Sequence, residues 1–431
     1  MIEPPDPAAL DAVNEVTAED LPRFAPVRYD RDQPAVEDVE AATVEALDAV
    51  DGLADLQPDA RVGITVGSRG IHDMPAVVRT LVAELQGRGF DPFVLPAMGS
   101  HGGATAEGQV EAIASLGFTE ESMGCPVVSS MEVERVGSDA DGRPVYAARD
   151  ALAADAVLLA NRVKPHTDFS GDLESGLCKM AVIGLGKQRG AEATHKAALA
   201  GTFSEVIRER AALLFESTPI VGGVALLENA NERAAAIEGL DAGEILDREP
   251  ALLERSRDLL GTLPVEDLDL LVVDELGKEI SGTGMDTNVI GRMLMHGEPE
   301  PDSPRYTRIY VRSVTPGSHG NGIGMGLADY AHRRLVEALD LTDTYVNVIT
   351  SGEPVRARIP VICPDDRLAF VAAYSACGVI DPADMRIARI PNTLDLDRFH
   401  VSEAVVDELR ADPDASVGTP EPLAFEDGDL A

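Results

Sequence analysis

Short apolar runs alternate along this chain with longer segments whose apolar positions recur every three or four residues. Arg61–Val66 (RVGITV) reads as a buried strand and Met74–Gly87 as an amphipathic helix. A strand at 92–97 and a helix at 104–116 follow. Segments 125–136 and 143–146 flank Asp141-Gly142, a hairpin signal. A strand at 156–160 (AVLLA), a helix at 203–215, a strand at 220–227 and a helix at 242–260 continue the rhythm. Strands alternating with helices predict an α/β fold whose N-terminal domain is three-layered with a mostly parallel sheet. Beyond Pro264 the pattern restarts with a strand at 268–274 (LDLLVVD) and a glycine-rich loop, GKEISGTGMDTNVIGR. Strands near 307–314 and 345–349 and helices near 325–339 and 365–376 predict a smaller C-terminal α/β domain. The expected organisation is an acidic arm and helix at 1–58 packing on the first domain (helix near 36–53), domains at 59–263 and 264–410, and a loosely held acidic tail at 411–431.

Composition narrows the function classes. With 431 residues and 45% hydrophobic content the chain can fill two or three cores. No apolar run is long enough to span a bilayer, and the N-terminal MIEPPDPAALDAV lacks a secretory pattern, so the expectation is a cytoplasmic protein without a membrane partner. Four cysteines, widely spaced and without CxxC, argue against a disulfide framework or a cysteine-rich metal site. A net charge of −39 spread through the sequence repels itself at low salt and points to a salt-rich, halophilic habitat. With no basic stripe to meet phosphates, nucleic acid is not an expected partner.

Against this acidic background one stretch stands out, NRVKPHTDFSGDLESGLCKMAVIGLGKQRGAEATHK, residues 161–196. It holds Lys164, Lys179, Lys187 and Lys196, leaving only Lys278 elsewhere. Lysine, unlike arginine, can lose its proton and act as a nucleophile. Three further cues fall just after predicted strands, where parallel sheets gather ligands. They are Gly67-Ser68-Arg69-Gly70, then Met98-Gly99-Ser100-His101-Gly102-Gly103, then 161–166 ending at His166. Arg69 suits a carboxylate through its planar fork, and the glycines let backbone N–H groups approach an anion. A lone histidine is more often a packing residue and a glycine turn is usually only a turn. Their coincidence on one predicted edge is what marks a site.

These residues resemble the nickel-pincer lactate racemases and related 2-hydroxyacid racemases and epimerases, over most of the chain. The resemblance rests on Arg69, Ser100-His101-Gly102, Pro165-His166 with Phe169-Ser170-Gly171, Ser175-Gly176 leading to Lys179, and Thr194-His195-Lys196. It implies an active site in a cleft between the two domains. The implied cofactor is nickel held by a pyridinium-3,5-bisthiocarboxylic acid mononucleotide, the nickel-pincer nucleotide, covalently attached to a lysine. Lys179 would be that lysine, His195 the nickel ligand, His101 and His166 the paired acid–base residues, and Arg69 the substrate-orienting arginine. Gly102, Gly103, Ser175 and Gly176 would help to hold the cofactor, and cofactor-maturation enzymes and a 2-hydroxy acid would be the partners.

The chain departs from that family in two places. Arg69 lacks the acidic residue and proline that flank the family's arginine, and Leu177-Cys178 expand the element before Lys179. Lys187 rivals Lys179 as the covalent lysine, or binds the cofactor phosphate with Arg189. In the second domain Lys278, Asp286, Asn288 and Arg292 are candidates to close on the substrate. Two other readings stay open: a zinc hydrolase or lyase using His101, His166 and His195, and a non-catalytic anion- or nucleotide-binding protein.

Overall fold

The structure, a computed structural model, describes residues 5–13 and 16–431. The chain folds into two compact units, one contiguous (Gln33–Leu260) and one assembled from both ends (Met1–Asp32 with Gly261–Ala431). The first strand, β1 (Phe24–Tyr29), belongs to the second of these.

The contiguous unit is built on β2 (Arg61–Val66), β3 (Asp91–Pro96), β6 (Ala156–Arg162), β7 (Ile220–Glu228) and β8 (Ala234–Asp241). A separate hairpin of β4 (Val133–Ser138) and β5 (Pro144–Ala148) surrounds the expected Asp141-Gly142 turn. The sheet order is β3-β2-β6-β7-β8, with only β8 antiparallel. Successive side chains of a strand point to opposite faces, and the two faces feed different cores. Val62, Ile64, Leu158 and Ala160 pack with Val77, Val78 and Leu81 of helix Met74–Gly87. Val157, Leu159 and Leu95 pack on the other side with Ile207, Ala211 and Leu214 of helix Phe203–Ser217. That helix starts at Thr202 in a capping box with Glu205, worth about 1 kcal/mol. The result is the three-layer, mostly parallel α/β unit expected.

The second unit carries an eight-stranded sheet. Its further strands are β9 (Asp267–Leu276), β10 (Arg305–Val314), β11 (Tyr330–His332), β12 (Val361–Cys363), β13 (Ile387–Ile390), β14 (Arg398–Ser402) and β15 (Ala415–Val417). The order is β12-β11-β10-β9-β13-β14-β1-β15; the first five run parallel and the remainder alternate antiparallel.

Four expectations need correction. Residues 1–58 do not act as one arm on the first domain: β1 pairs with β14, Phe24 opposite Ser402, while helix Val39–Asp48 buries Val39, Ala46 and Leu47 in the contiguous unit. The tail at 411–431 is not loosely held. It supplies β15 and a hairpin of β16 (Phe425–Glu426) and β17 (Asp429–Leu430), with Leu430 N–H donating to Asp366. Residues 345–349 lie in helix Leu341–Ser351, capped by Asp340 and ended by Gly352 in the left-handed region; the capping chemistry overrides the β-branched composition that suggested a strand. In the same way the helix expected at 325–339 is broken into a short 3-10 turn, β11 and helix Arg333–Glu337.

Candidate functional site

The three loops after β3, β2 and β6 leave neighbouring strands at their carboxyl ends. Two of them rest on the same support, the π-helical turn Met180–Gly184 that directly follows Lys179. A Cβ at Gly67 would lie 3.4 Å from Met180 Cε, and Gly99 N–H donates to Gly184 O at 3.3 Å. Such turns are uncommon and tend to occur at functional sites. Helix Lys187–Ala198, which bears His195, comes next in the chain, and a Cβ at Gly99 would lie 3.5 Å from Ala191 Cβ on it.

Rings assemble the rest. His166 stacks on Phe169 (centroids 4.4 Å apart), Phe169 stacks on Phe203 (4.9 Å), and His195 meets Phe203 edge-on (5.2 Å). Lys179 Nζ lies 5.6 Å from the Phe169 centroid, a cation–π distance. One aromatic ladder therefore brings His166, Lys179 and His195 together. The loop bearing His166 is drawn tight by buried Glu174. One of its oxygens accepts His166 N–H (2.5 Å), and the other accepts Gly171 N–H (3.0 Å) and Arg257 Nη2 (2.5 Å). Ser175 acts through its backbone, exchanging hydrogen bonds with Lys164 at 3.0 and 3.3 Å.

The two histidines are held in opposite tautomers. His101 Nδ1 lies 2.9 Å from Met98 O, which only accepts, so Nδ1 carries the proton and Nε2 is the basic nitrogen. His166 Nδ1 accepts Asp168 N–H at 3.0 Å, so the neutral ring carries its proton on Nε2. Gly102 has φ +69°, and a Cβ there would come within 2.5 Å of the Gly108 backbone, so a side chain would push the His101 loop off helix Ala106–Ser115. Gly103 also lies in the left-handed region, with φ +63°.

Electrostatics separates the two rival lysines. Lys179 is half-buried, and burial pushes its amine down to about 8; Arg69 and Lys164 add to this while Asp168 and Glu174 oppose it. Lys187 is also lowered to about 8 by burial, but its amine is sealed, donating to Pro96 O (2.7 Å) and Gln109 Oε1 (2.8 Å). His195 is held below the usual imidazole value, first by lost hydration and then by the Lys179 charge. Arg69 is lowered by lost hydration and by Arg162. Arg69 and His195 both reach solvent, so their rings of neighbours flank them without covering them.

Sequence reasoning passed over Glu249. This buried carboxylate caps the turn before Lys179, accepting Cys178 N–H at 3.0 Å, and burial raises it to about 7. A Cβ at Gly176 would come within 2.3 Å of Glu249 Oε1, so only glycine fits there.

The second-unit candidates sit in the other compact body. Lys278 Nζ donates to Gly282 O (2.7 Å) and Asn347 Oδ1 (3.0 Å). Asp286 accepts from Asn288 N and Nδ2, both at 3.0 Å, at the start of helix Thr287–Ile290. Arg292 ties Asp329 and Leu327 O, each at 2.8 Å. Among the described residues, the acid–histidine group compact enough for an ion is His332, Asp366 and Asp429, not the three histidines of the ladder edge. Asp366 there already accepts from Tyr310 and Arg312.

No protein-family model matches the sequence, and no curated protein matches it. Among solved structures the chain is similar to the lactate racemase apoprotein from Thermoanaerobacterium thermosaccharolyticum. The TM-score is 0.53 at 12% identity, covering 86% of this chain and 99% of that one. At that identity the likeness establishes a shared α/β fold.

Proposed function

We propose that this protein is a 2-hydroxyacid racemase or epimerase that inverts the α-carbon of its substrate. The observation that carries the reading is the pair of histidines in opposite tautomers, His101 with a basic Nε2 and His166 with a protonated one, at one sheet edge with Lys179 and His195. Inverting a carbinol centre needs a base for the hydroxyl proton of one enantiomer and an acid to return a proton to the carbonyl oxygen when the other forms. The histidine that takes the hydroxyl proton becomes imidazolium, and the one that returns a proton must start as imidazolium. His101 with its free Nε2 would be the base, and His166 would serve as the acid once Nδ1 is protonated too, with Asp168 Oδ2 3.8 Å from that nitrogen. Imidazoles do this near neutral pH. Arg69, charged and open to solvent, would orient the carboxylate.

The residues fit the nickel-pincer nucleotide. An amine lowered to about 8 is neutral often enough to be acylated, which suits Lys179 as the tether. A neutral imidazole is a good nickel ligand, which suits His195. When bound, the nucleotide would accept and return the hydride. Lys278, Asp286, Asn288 and Arg292 remain candidates for substrate contacts, although Lys278 and Arg292 both already donate to neighbouring oxygens.

The test is to produce the protein together with cofactor-maturation enzymes, measure metal content, and map adducts by peptide mass spectrometry. Nickel, a nucleotide-sized adduct on Lys179, and loss of optical activity with a 2-hydroxy acid are expected. A Lys179→Ala variant should lose the adduct and all turnover. Zinc without an adduct would replace this reading with the hydrolase or lyase, and neither metal nor adduct with the binding protein.

A further inference from the structure

Lys187 is the most fully enclosed lysine near the site, and its backbone sits in the left-handed region at φ +52°. A non-glycine residue there is strained by about 1 kcal/mol or more, and burying an ammonium adds a further cost. Something must hold it. Its amine donates to Pro96 O at the end of β3 (2.7 Å) and to Gln109 Oε1 (2.8 Å). An ammonium only donates, so the Gln109 amide is forced to present its oxygen to Lys187 and its NH2 to the opposite side. On that side lie Gly99 O at 3.0 Å and His101 O at 3.4 Å. The chain of contacts therefore runs from Lys187 through Gln109 to the carbonyls on both sides of Ser100.

We infer that Lys187 is a positioning residue: through Gln109 it clamps the 99–101 loop and so fixes the His101 ring. This rests on the reading of His101 as an acid–base group, and it gives Lys187 a role other than cofactor attachment. The loop is also held by Gly99 N–H to Gly184 O (3.3 Å) and by the turns His101 N–H to Met98 O and Ala104 N–H to Ser100 O (both 3.1 Å). Gln109 is the side chain that binds both carbonyls flanking Ser100. His101 is exposed, Gly102 and Gly103 have positive φ, and Ala104 is also in the left-handed region at φ +55°. Without the amide clamp, the carbonyls flanking Ser100 lose their shared donor, and the Met98 O bond that sets the His101 tautomer loosens with them.

Two variants separate positioning from bulk stability. Gln109→Glu keeps an acceptor for Lys187 but replaces the NH2 with a second oxygen facing two carbonyls. Lys187→Met removes the ammonium and leaves Gln109 free to turn. Both are studied first in the protein without cofactor, by hydrogen exchange and by 15N shifts of labelled histidine, with His101→Gln used for assignment. We expect amides at 99–104 to exchange about tenfold faster in both variants. The His101 shifts should move from the Nδ1–H form toward the Nε2–H form, while those of His166 stay fixed. In loaded protein kcat should fall roughly tenfold or more with KM little changed, as expected when a reacting group is misplaced. Unchanged exchange at 99–104 and unchanged His101 shifts in both variants would overturn the inference. So would a uniform loss of protection across 33–260, which would make Lys187 a general stability element. If loaded wild-type protein turns over no 2-hydroxy acid, the racemase reading fails while the exchange result still decides the clamp.

Discussion

The carboxyl ends of the parallel strands carry charged side chains in both units, and the two edges use them differently. In the eight-stranded sheet Arg312 and Arg389 at the edge are bound to acids. Arg312 holds Asp366 through two nitrogens (2.7 and 2.8 Å) and Asp274 at 2.8 Å, and Arg389 reaches the same Asp274 at 2.9 Å. Those acids raise Arg312 further, and Asp366 is held below the usual carboxylate range despite its burial. At the five-stranded edge Arg162 pairs with Glu228, but Lys179 and His195 are both pushed toward their neutral forms. Paired charges fix a structure, whereas groups moved toward neutrality are available for chemistry. The contrast identifies which edge to regard as the reactive one.

The comparison breaks first at Asp366. Asp366→Ala removes the acceptor of Tyr310 and two of the three carboxylate bonds of Arg312, leaving it only Asp274, and should destabilise the discontinuous unit by about 3–5 kcal/mol, read by chemical denaturation. A variant losing less than about 1 kcal/mol would show that this edge is not held by its charges.

Glu249 gives the next largest effect. Its folded value of about 7 lies above the ordinary 4.5, so the folded protein binds the proton more tightly. Its stabilising contribution is fully present below pH 4.5 and is lost as pH rises through 7. Glu249→Gln should therefore gain on wild type across that window, by roughly 3 kcal/mol at most. Parallel denaturation midpoints at pH 5 and pH 8 measure it, and equal differences at both would remove Glu249 from the account.

The smallest effect sharpens the comparison. Lys179 should be half-reactive toward a mild acylating reagent near pH 8, against about 10.4 for an ordinary exposed lysine. Arg69→Gln removes a neighbouring positive charge and should move that half-point upward. A Lys179 reactivity profile centred near 10 would dissolve the distinction between the two edges.

How much of this was legible in the sequence depended on the range of the interaction. Met74–Gly87 was read correctly because its apolar period is local, and the edge loops because each follows its own strand. The helix at Leu341–Ser351 was read in part as a strand because Val346, Val348 and Ile349 outweighed the Asp340 and Gly352 caps. The candidate site residues were recognisable by type and order through the resemblance alone. Their supports were not, since Glu249 meets a backbone 71 positions away, and Lys187 reaches across 91 positions to Pro96 and 78 to Gln109. No window on the sequence pairs such partners. Lys187 in particular looks like a second nucleophile until its amine is seen to be enclosed.

Strand β1 is synthesised long before its neighbours in the sheet, β14 and β15. The contiguous body can complete itself while synthesis continues, but residues 24–29 must wait, unpaired and partly apolar, until residues 398–417 emerge. Truncations from the C-terminal end should then expose that waiting edge, and nascent chains halted before residue 398 should be the ones most prone to stick to each other.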